Sequence, residues 1–385
     1  MNPRLILVWH EAGNRLYHDR FRELAKVFDL TVVGPEIFAG VDYRPSARAD
    51  LGFDLKLFPS RASGHWLSYF SPAMMRYIRA NPPEVLYVHE EPHSVTAFWA
   101  SLLKRKSTLV LESSAINLKG NFGGANLLER LVYARVDKIF PKNTEVAGVL
   151  TQRGASKAKI LAPLGNGVSL QSFSPTPKAE AREQLAATFP EVRRAVDGRL
   201  LVGFAGRIWR PKGLETLAQA ARDADVALML CGPVSDADVA EAVQEFGGVL
   251  LPALNKEQLP IFYSALDLFV LPSQITPFWR EQFGRVCAEA VFCGTPAIGS
   301  NVGGIPSVVG DSAIFEPADV TQLADKITSL KTAEARADLL AEQTRHIEDN
   351  FSWRSIAARI YREVAGNGSK SGSTSLPFVP VEATL

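Results

Sequence analysis

The sequence predicts two doubly wound α/β domains in tandem. Three observations carry that expectation. At 385 residues the chain is too long for one ordinary core. Short runs rich in leucine and β-branched residues recur between amphipathic stretches, the rhythm of β-α-β units. A Gly-, Ser- and Pro-rich stretch, "GNGVSLQSFSPTP" at 165–177, interrupts that rhythm near the middle and reads as a linker.

In chain order, the first half offers "RLILVWH", "DLTVVGP", "EVLYVHE", "STLVLES", "DKIFPKN" and "AKILAPL" as strands. The second half offers "LLVGFAG", "VALMLCG", "GVLLPA", "DLFVLPS", "TPAIGS" and "SAIFEP". Continuous apolar runs mean burial on both faces, hence parallel sheets. Helical periodicity lies between them, as in "RFRELAKVF" and "GLETLAQAARDA". The expected domains are 1–170 and 171–350. The last twenty residues, 366–385, lack periodicity and read as a disordered tail.

Bulk composition narrows the class. Hydrophobic residues make up 46% and charged residues 22%, as in a soluble globular protein. No run is long and apolar enough to span a bilayer, and "MNPRLILVWHEAGN" reads as a first strand rather than a signal peptide. Cys231, Cys287 and Cys293 form neither a metal-ligand spacing nor an even disulfide set, which fits a reducing cytoplasm. The net charge of +1 hides an asymmetry: residues 1–165 carry 22 basic and 15 acidic side chains, and residues 166–385 carry 20 and 26. Either the first half meets an anionic partner or the surface is merely uneven. Arg44, Arg48, Lys104, Arg105 and Lys106 are the candidates for such a contact.

In doubly wound sheets, ligands bind beyond the carboxyl ends of the strands. Two loops there carry chemistry. In "GFAGRIWRPKGLETL", Gly206 allows a tight turn, Arg207 and Lys212 bring cations, and Gly213 opens a helix. Alone, this is either an anion site or a basic surface loop. In "EQFGRVCAEAVFCGTP", a helix is expected over about 283–293, ended by Gly294 and Pro296. Glu281 precedes it and Glu289 lies inside it. Such carboxylates either complement a helix end or grip a polyhydroxyl ligand. Phe278 and Trp279 either line that pocket or pack the loop. The triplets Asp223-Ala-Asp225 and Asp236-Ala-Asp238 fall at helix–strand junctions and read as chance, so no metal ligand is assigned.

Together these segments resemble retaining glycosyltransferases of the family 4 type, with the GT-B fold. "EQFGRVCAE" is similar to their Glu-x7-Glu motif, and "GRIWRPKG" to their phosphate loop. "FCGTPAIGSNVGGIPSVVGD", "LGNGVSLQSFSP" and "FSWRSIAARI" resemble the stretch after the second glutamate, the interdomain segment and the C-terminal helix. The resemblance covers about 200–365 in matching order. It implies two Rossmann-like domains facing across a cleft, the first completed by a helix at about 351–365. It implies a donor site of Gly206, Arg207, Lys212, Glu281, Gln282, Phe283, Gly284, Arg285 and Glu289, with Glu281 by the sugar, Glu289 on the ribose diol and Arg207 and Lys212 on the diphosphate.

The first half matches less closely. Gly13 stands alone where the family has a Gly-Gly pair, and "LVLESSAIN" has Glu112 and Ser113 where a histidine is usual. His89, Glu112 and Ser113 therefore compete for the place beside the anomeric carbon; Glu90 and Glu91 read as solvated, and His93 as a strand cap.

The implied function is transfer of a sugar from a nucleotide diphosphate sugar to a hydroxyl acceptor, a carbohydrate or a lipid-linked one, with retention. Cell-surface polysaccharide or glycolipid synthesis is the implied setting, in the cytoplasm or peripherally at the inner membrane face. No cofactor and no nucleic-acid partner is implied. A nucleotide-sugar epimerase or hydrolase, a starch- or sucrose-type synthase and a silent nucleotide-sugar binder share the same features.

Overall fold

The computed structural model describes residues 2–48, 50–114, 123–169, 172–195, 198–277 and 279–365. The expected tail and Phe278 lie outside them. Two six-stranded parallel sheets form the frame. The first contains, in chain order, Arg4–Val8, Asp29–Pro35, Asp54–Phe58, Val85–Val88, Thr108–Ser113 and Lys138–Pro141. The second contains Leu201–Ala205, Ala227–Cys231, Val249–Leu251, Leu268–Leu271, Ala297–Ser300 and Ile314–Phe315. Both have the same spatial order: third, second, first, fourth, fifth, sixth. That is two Rossmann-like units, as expected.

One expected strand is corrected. "AKILAPL" contributes a single bridge, Ile160 to Ile139, and no strand. Pro163 lacks the amide that a continuing ladder needs. The strand that completes the sheet is instead Asp54–Phe58, third in the chain and at the opposite edge. Its D-L-K-L-F alternates polar and apolar residues, because an edge strand is only half covered.

Reversal of strand order makes a crevice between the first and fourth strands of each sheet. In the first domain the crevice lies beyond Val8 and Val88, so Trp9, His10, His89 and Glu90 stand at its mouth. In the second it lies beyond Ala205 and Leu271, so Gly206, Arg207 and the loop to Glu281 stand there.

The chain passes between the domains twice. Gly165 and Gly167 lie on the first passage, and Val168 donates its amide to the carbonyl of Phe351 on the second, at 2.9 Å. A side chain on Gly167 would strike the Trp353 ring. The final helix, Trp353–Ala365, then joins the first domain's core. Trp353, Ile356, Ile360 and Val364 pack with Leu5, Phe21 and Phe28. Each such side chain contributes roughly 1.5–3 kcal/mol on burial. Among the described residues no helix is long and apolar enough to cross a membrane.

Candidate functional site

Three adjoining cavities occupy the cleft. The first, about 420 Å³, is lined by Gly206, Gly232, Leu254, Tyr263, Arg285 and Glu289 of the second domain, with Leu16, Tyr17 and Asp19 opposite. The second, about 540 Å³, is lined by Arg207, Trp209, Lys212, Trp279 and Glu281. The third, about 530 Å³, belongs mainly to the first domain: Trp9, His10, Glu11, Trp66, His89, Glu90 and Glu91. Tyr17 lines all three, and Gln282 links the second to the third.

The backbone explains why the cations and carboxylates converge. Gly213 has φ +67°, and a Cβ there would meet the carbonyl of Pro272 at 2.1 Å. Only glycine brings the Arg207–Lys212 loop so close to the end of the neighbouring strand. Gly303 does the same for Glu281: its φ is +58°, and a Cβ would lie 1.7 Å from the Glu281 carbonyl. The helix itself spans Arg285–Phe292, two residues inside the expected start, with Gly284 as its N-cap at φ +83°.

Lys212 forms an ion pair with Glu281 and lies 4.6 Å from the centre of the Trp279 ring. Arg207 is exposed and faces Trp209. Arg207 and Lys212 thus border one cavity with Glu281, and Arg280 and Arg285 also line it. Glu289 is 6% exposed. Burial raises its pKa, opposed by Arg285 and by the Tyr263 hydroxyl. Tyr263 donates to one carboxylate oxygen at 2.9 Å, and Arg285 approaches the other at 3.1 Å. Each oxygen thus has one of these partners, and Glu289 lines the first cavity. Phe283 departs from the expected donor role in one respect. Its side chain is 2% exposed and packs on Phe351, with ring centres 5.0 Å apart, so it supports the loop from beneath.

The loop 280–282 also reaches the first domain. Asn143 caps its own helix, accepting from Val146, and donates to the Gln282 carbonyl at 2.7 Å. The Gln282 amide donates to Ser114 at 3.2 Å, and Arg280 meets Glu145 at 3.0 Å. Asp236 and Asp238 both hold Arg210, the former through its amide and the latter through its guanidinium.

Of the three candidates for the anomeric position, the structure places each in a different setting. Glu112 is 1% exposed. It accepts from Arg20 at 2.5 Å, Tyr87 at 2.6 Å and Lys142 at 2.7 Å. Burial would raise its pKa, but Arg20, His89 and Lys142 together hold it well below the usual carboxylate range. It faces this internal cluster and lines none of the three cavities. His89 touches the third cavity, yet both ring nitrogens face inward partners. Arg20 lies 3.0 Å from Nδ1 and Glu112 lies 3.4 Å from Nε2. Burial pushes its pKa well down, so the ring is neutral, and it stacks on Trp9 at 4.2 Å. Its place suits a wall rather than a base. Ser113 donates to Glu91 at 2.5 Å.

Sequence reasoning missed much of the third cavity. Glu90, read as solvated, is 2% exposed. It accepts from the His10 amide at 2.7 Å and from Tyr69 at 2.7 Å, and pairs with His10 Nδ1 at 2.8 Å. Burial raises Glu91 to about 7, against the bonds from Ser113 and Ser114. The signal was present: "VWH" and "VHEE" end the first and fourth strands, where the crevice opens. His93, read as a cap, is buried beside Trp66.

Comparison with known proteins places this geometry. Residues 187–347 match the family model "Glycosyl transferases group 1". A D-inositol 3-phosphate glycosyltransferase of Rhodococcus erythropolis is 29% identical over 66% of this chain and 60% of its own length. The sulfoquinovosyl transferase SQD2 of Arabidopsis thaliana is 25% identical over 61% and 45%. The matched region thus spans less than two thirds of either relative. Among solved structures, Anabaena Alr3699/HepE in complex with UDP superposes with TM-score 0.72, at 16% identity, over 94% of this chain and all of that one. A Rickettsia africae glycosyltransferase gives 0.73, at 14% identity, over 96% and 100%. Residues 187–347 therefore carry the glycosyl transferases group 1 sequence pattern, and the chain as a whole has the GT-B fold.

Proposed function

We propose that the protein transfers a sugar from a nucleotide diphosphate sugar to a hydroxyl acceptor, with retention at the anomeric carbon. One observation carries the reading: Lys212, Arg207 and Glu281 border one cavity while Glu289 closes the end of the adjoining one. In this reading Glu289 accepts from both hydroxyls of the ribose. A vicinal diol suits a carboxylate, which has two acceptor oxygens. Arg207 and Lys212 offset the charge that develops on the departing diphosphate. The donor must first displace Glu281 from Lys212, and Glu281 then turns to the donor sugar. The first-domain cavity receives the acceptor, and the proton of its hydroxyl leaves with the departing phosphate on the same face. The two cations take the place a divalent ion would otherwise fill. The setting we infer is cytoplasmic, at the membrane's inner face if the acceptor is lipid-linked, in the synthesis of a surface glycan or glycolipid.

UDP-sugars are the first donors to test, since the Anabaena neighbour is described in complex with UDP. The test is nucleoside diphosphate release from UDP-, GDP- and ADP-sugars with and without acceptor mixtures, followed by the product's anomeric configuration by NMR. An α-linked product from an α-donor supports the reading. Release that needs no acceptor shows a hydrolase, and an inverted product excludes retention.

A further inference from the structure

The charge on the walls of the third cavity says what it can hold. Glu11, Glu90 and Glu91 line it, while among the described residues that line it there is no Lys or Arg. Arg20 and Lys142 do not line it and pair with Glu112. Two histidines also line it: Glu90 engages His10, and burial keeps His89 neutral. The carboxylates are fixed rather than loose. Glu11 accepts from Asn14 at 2.7 Å and Tyr43 at 3.0 Å, and Glu91 accepts from the Ser114 amide at 2.8 Å. Ionised carboxylates are acceptors only, so Glu11 and Glu90 favour a group that brings hydrogen-bond donors, while Glu91, held at about 7, shares its proton near neutrality. A phosphate monoester brings about two negative charges and no donor. The indoles of Trp9 and Trp66 complete the walls. They present apolar surface to a sugar ring and favour an ammonium over an anion. Of the basic candidates in the first half, Arg44, Lys104, Arg105 and Lys106 do not line the cleft cavities. Arg44 pairs with Asp42 and Lys104 with Asp137.

We propose that the acceptor end seated in this cavity is a polyhydroxyl group, neutral or amino-bearing, that carries no phosphate or carboxylate. This rests on the transfer reading above and, of the two sequence-level readings of the basic half, favours the uneven surface over the anionic partner. A lipid or glycan acceptor can still carry charge farther along, outside the cavity.

The test uses the full chain saturated with UDP or a UDP-sugar and matched probes: methyl glucoside, its 6-amino-6-deoxy analogue and its 6-phosphate, with the mannoside set in parallel. Two readouts run together, UDP release and quenching of tryptophan fluorescence. The expected result is response to the neutral and amino members, with the phosphate at least tenfold weaker. Glu11→Gln/Glu91→Gln should narrow that gap at least threefold. Equal or better response to the phosphates, an unchanged gap in a folded variant, or no response to any neutral or amino member would overturn the proposal. The wild-type ranking decides even if the variant fails to fold. If quenching follows the charge order while no donor is consumed with any acceptor, the transfer reading fails and the pocket assignment stands.

Discussion

Replacing Glu112 by Gln tests whether that carboxylate serves chemistry or holds the first domain together. The change removes the negative charge between Arg20 and Lys142, which are 2% and 3% exposed. Both cations then stay buried without their counter-ion, and the Tyr87 hydroxyl donates to a weaker acceptor. Breaking a buried pair by removing one partner costs about 3–5 kcal/mol. In a unit of about 150–250 residues each kcal/mol lowers Tm by about 2–4 °C, so a fall of roughly 6–20 °C is expected. The sign with pH follows from the lowered pKa. The carboxylate's contribution is present above its unfolded value of about 4.3 and is lost as pH falls through the folded one. The gap between wild type and variant should therefore persist from neutral pH to about 5 and close only in stronger acid. Calorimetry across that range is the assay. Glu112→Gln/Lys142→Met, which removes one stranded cation, should recover part of the loss. A Tm within about 2 °C of wild type, a loss of under about 1 kcal/mol, together with abolished turnover would refute the structural account and return Glu112 to the reaction.

Lys212→Ala and Arg207→Ala should each lower kcat/KM for the donor about 10- to 100-fold, since charge-assisted bonds are worth about 1.5–3 kcal/mol; wild-type kinetics in both would remove the diphosphate assignment. Wild type should prefer ribo- over 2′-deoxyribonucleotide sugars, and Glu289→Gln should lose most of that preference in steady-state competition. Activity should survive EDTA; complete loss, restored by manganese or magnesium, would show a metal requirement. Burial holds Glu91 at about 7, so its charge destabilises the fold as pH rises through that value. Glu91→Gln should accordingly raise Tm at about pH 8.5 more than at about pH 5.5, and an equal shift at both would contradict the raised pKa.

Residues legible in the sequence share one property: their role is set by local chemistry. The second domain's six strands are buried on both faces and read as unbroken apolar runs. Gly206 was legible as a turn and Gly213 as a helix start, and both backbones have positive φ. Asp54–Phe58 was hidden because a half-covered edge strand alternates. The third cavity was hidden for a different reason. Glu90 gains its partners from residues 21 and 80 positions away, Tyr69 and His10. A carboxylate that looks solvated beside its neighbours becomes buried only when those distant strands align. Tyr17 is the same case: nothing beside it in the chain announces a residue that borders three cavities.

The return of the final helix to the first domain has a consequence for how the protein is made. Leu5, Phe21 and Phe28 emerge early in synthesis, yet the side chains that cover them lie at 353–364. Until the ribosome has passed that point, the part of this face that the final helix covers stays open to solvent and to other nascent chains. The second domain has its own core within 168–351 and can close first. The amino-terminal half is therefore expected to complete its core last, a reversal of the vectorial order usual for tandem domains. A fragment ending near residue 168 should be chaperone-bound or insoluble. One joined by a short linker to the segment 351–365 should recover a covered sheet.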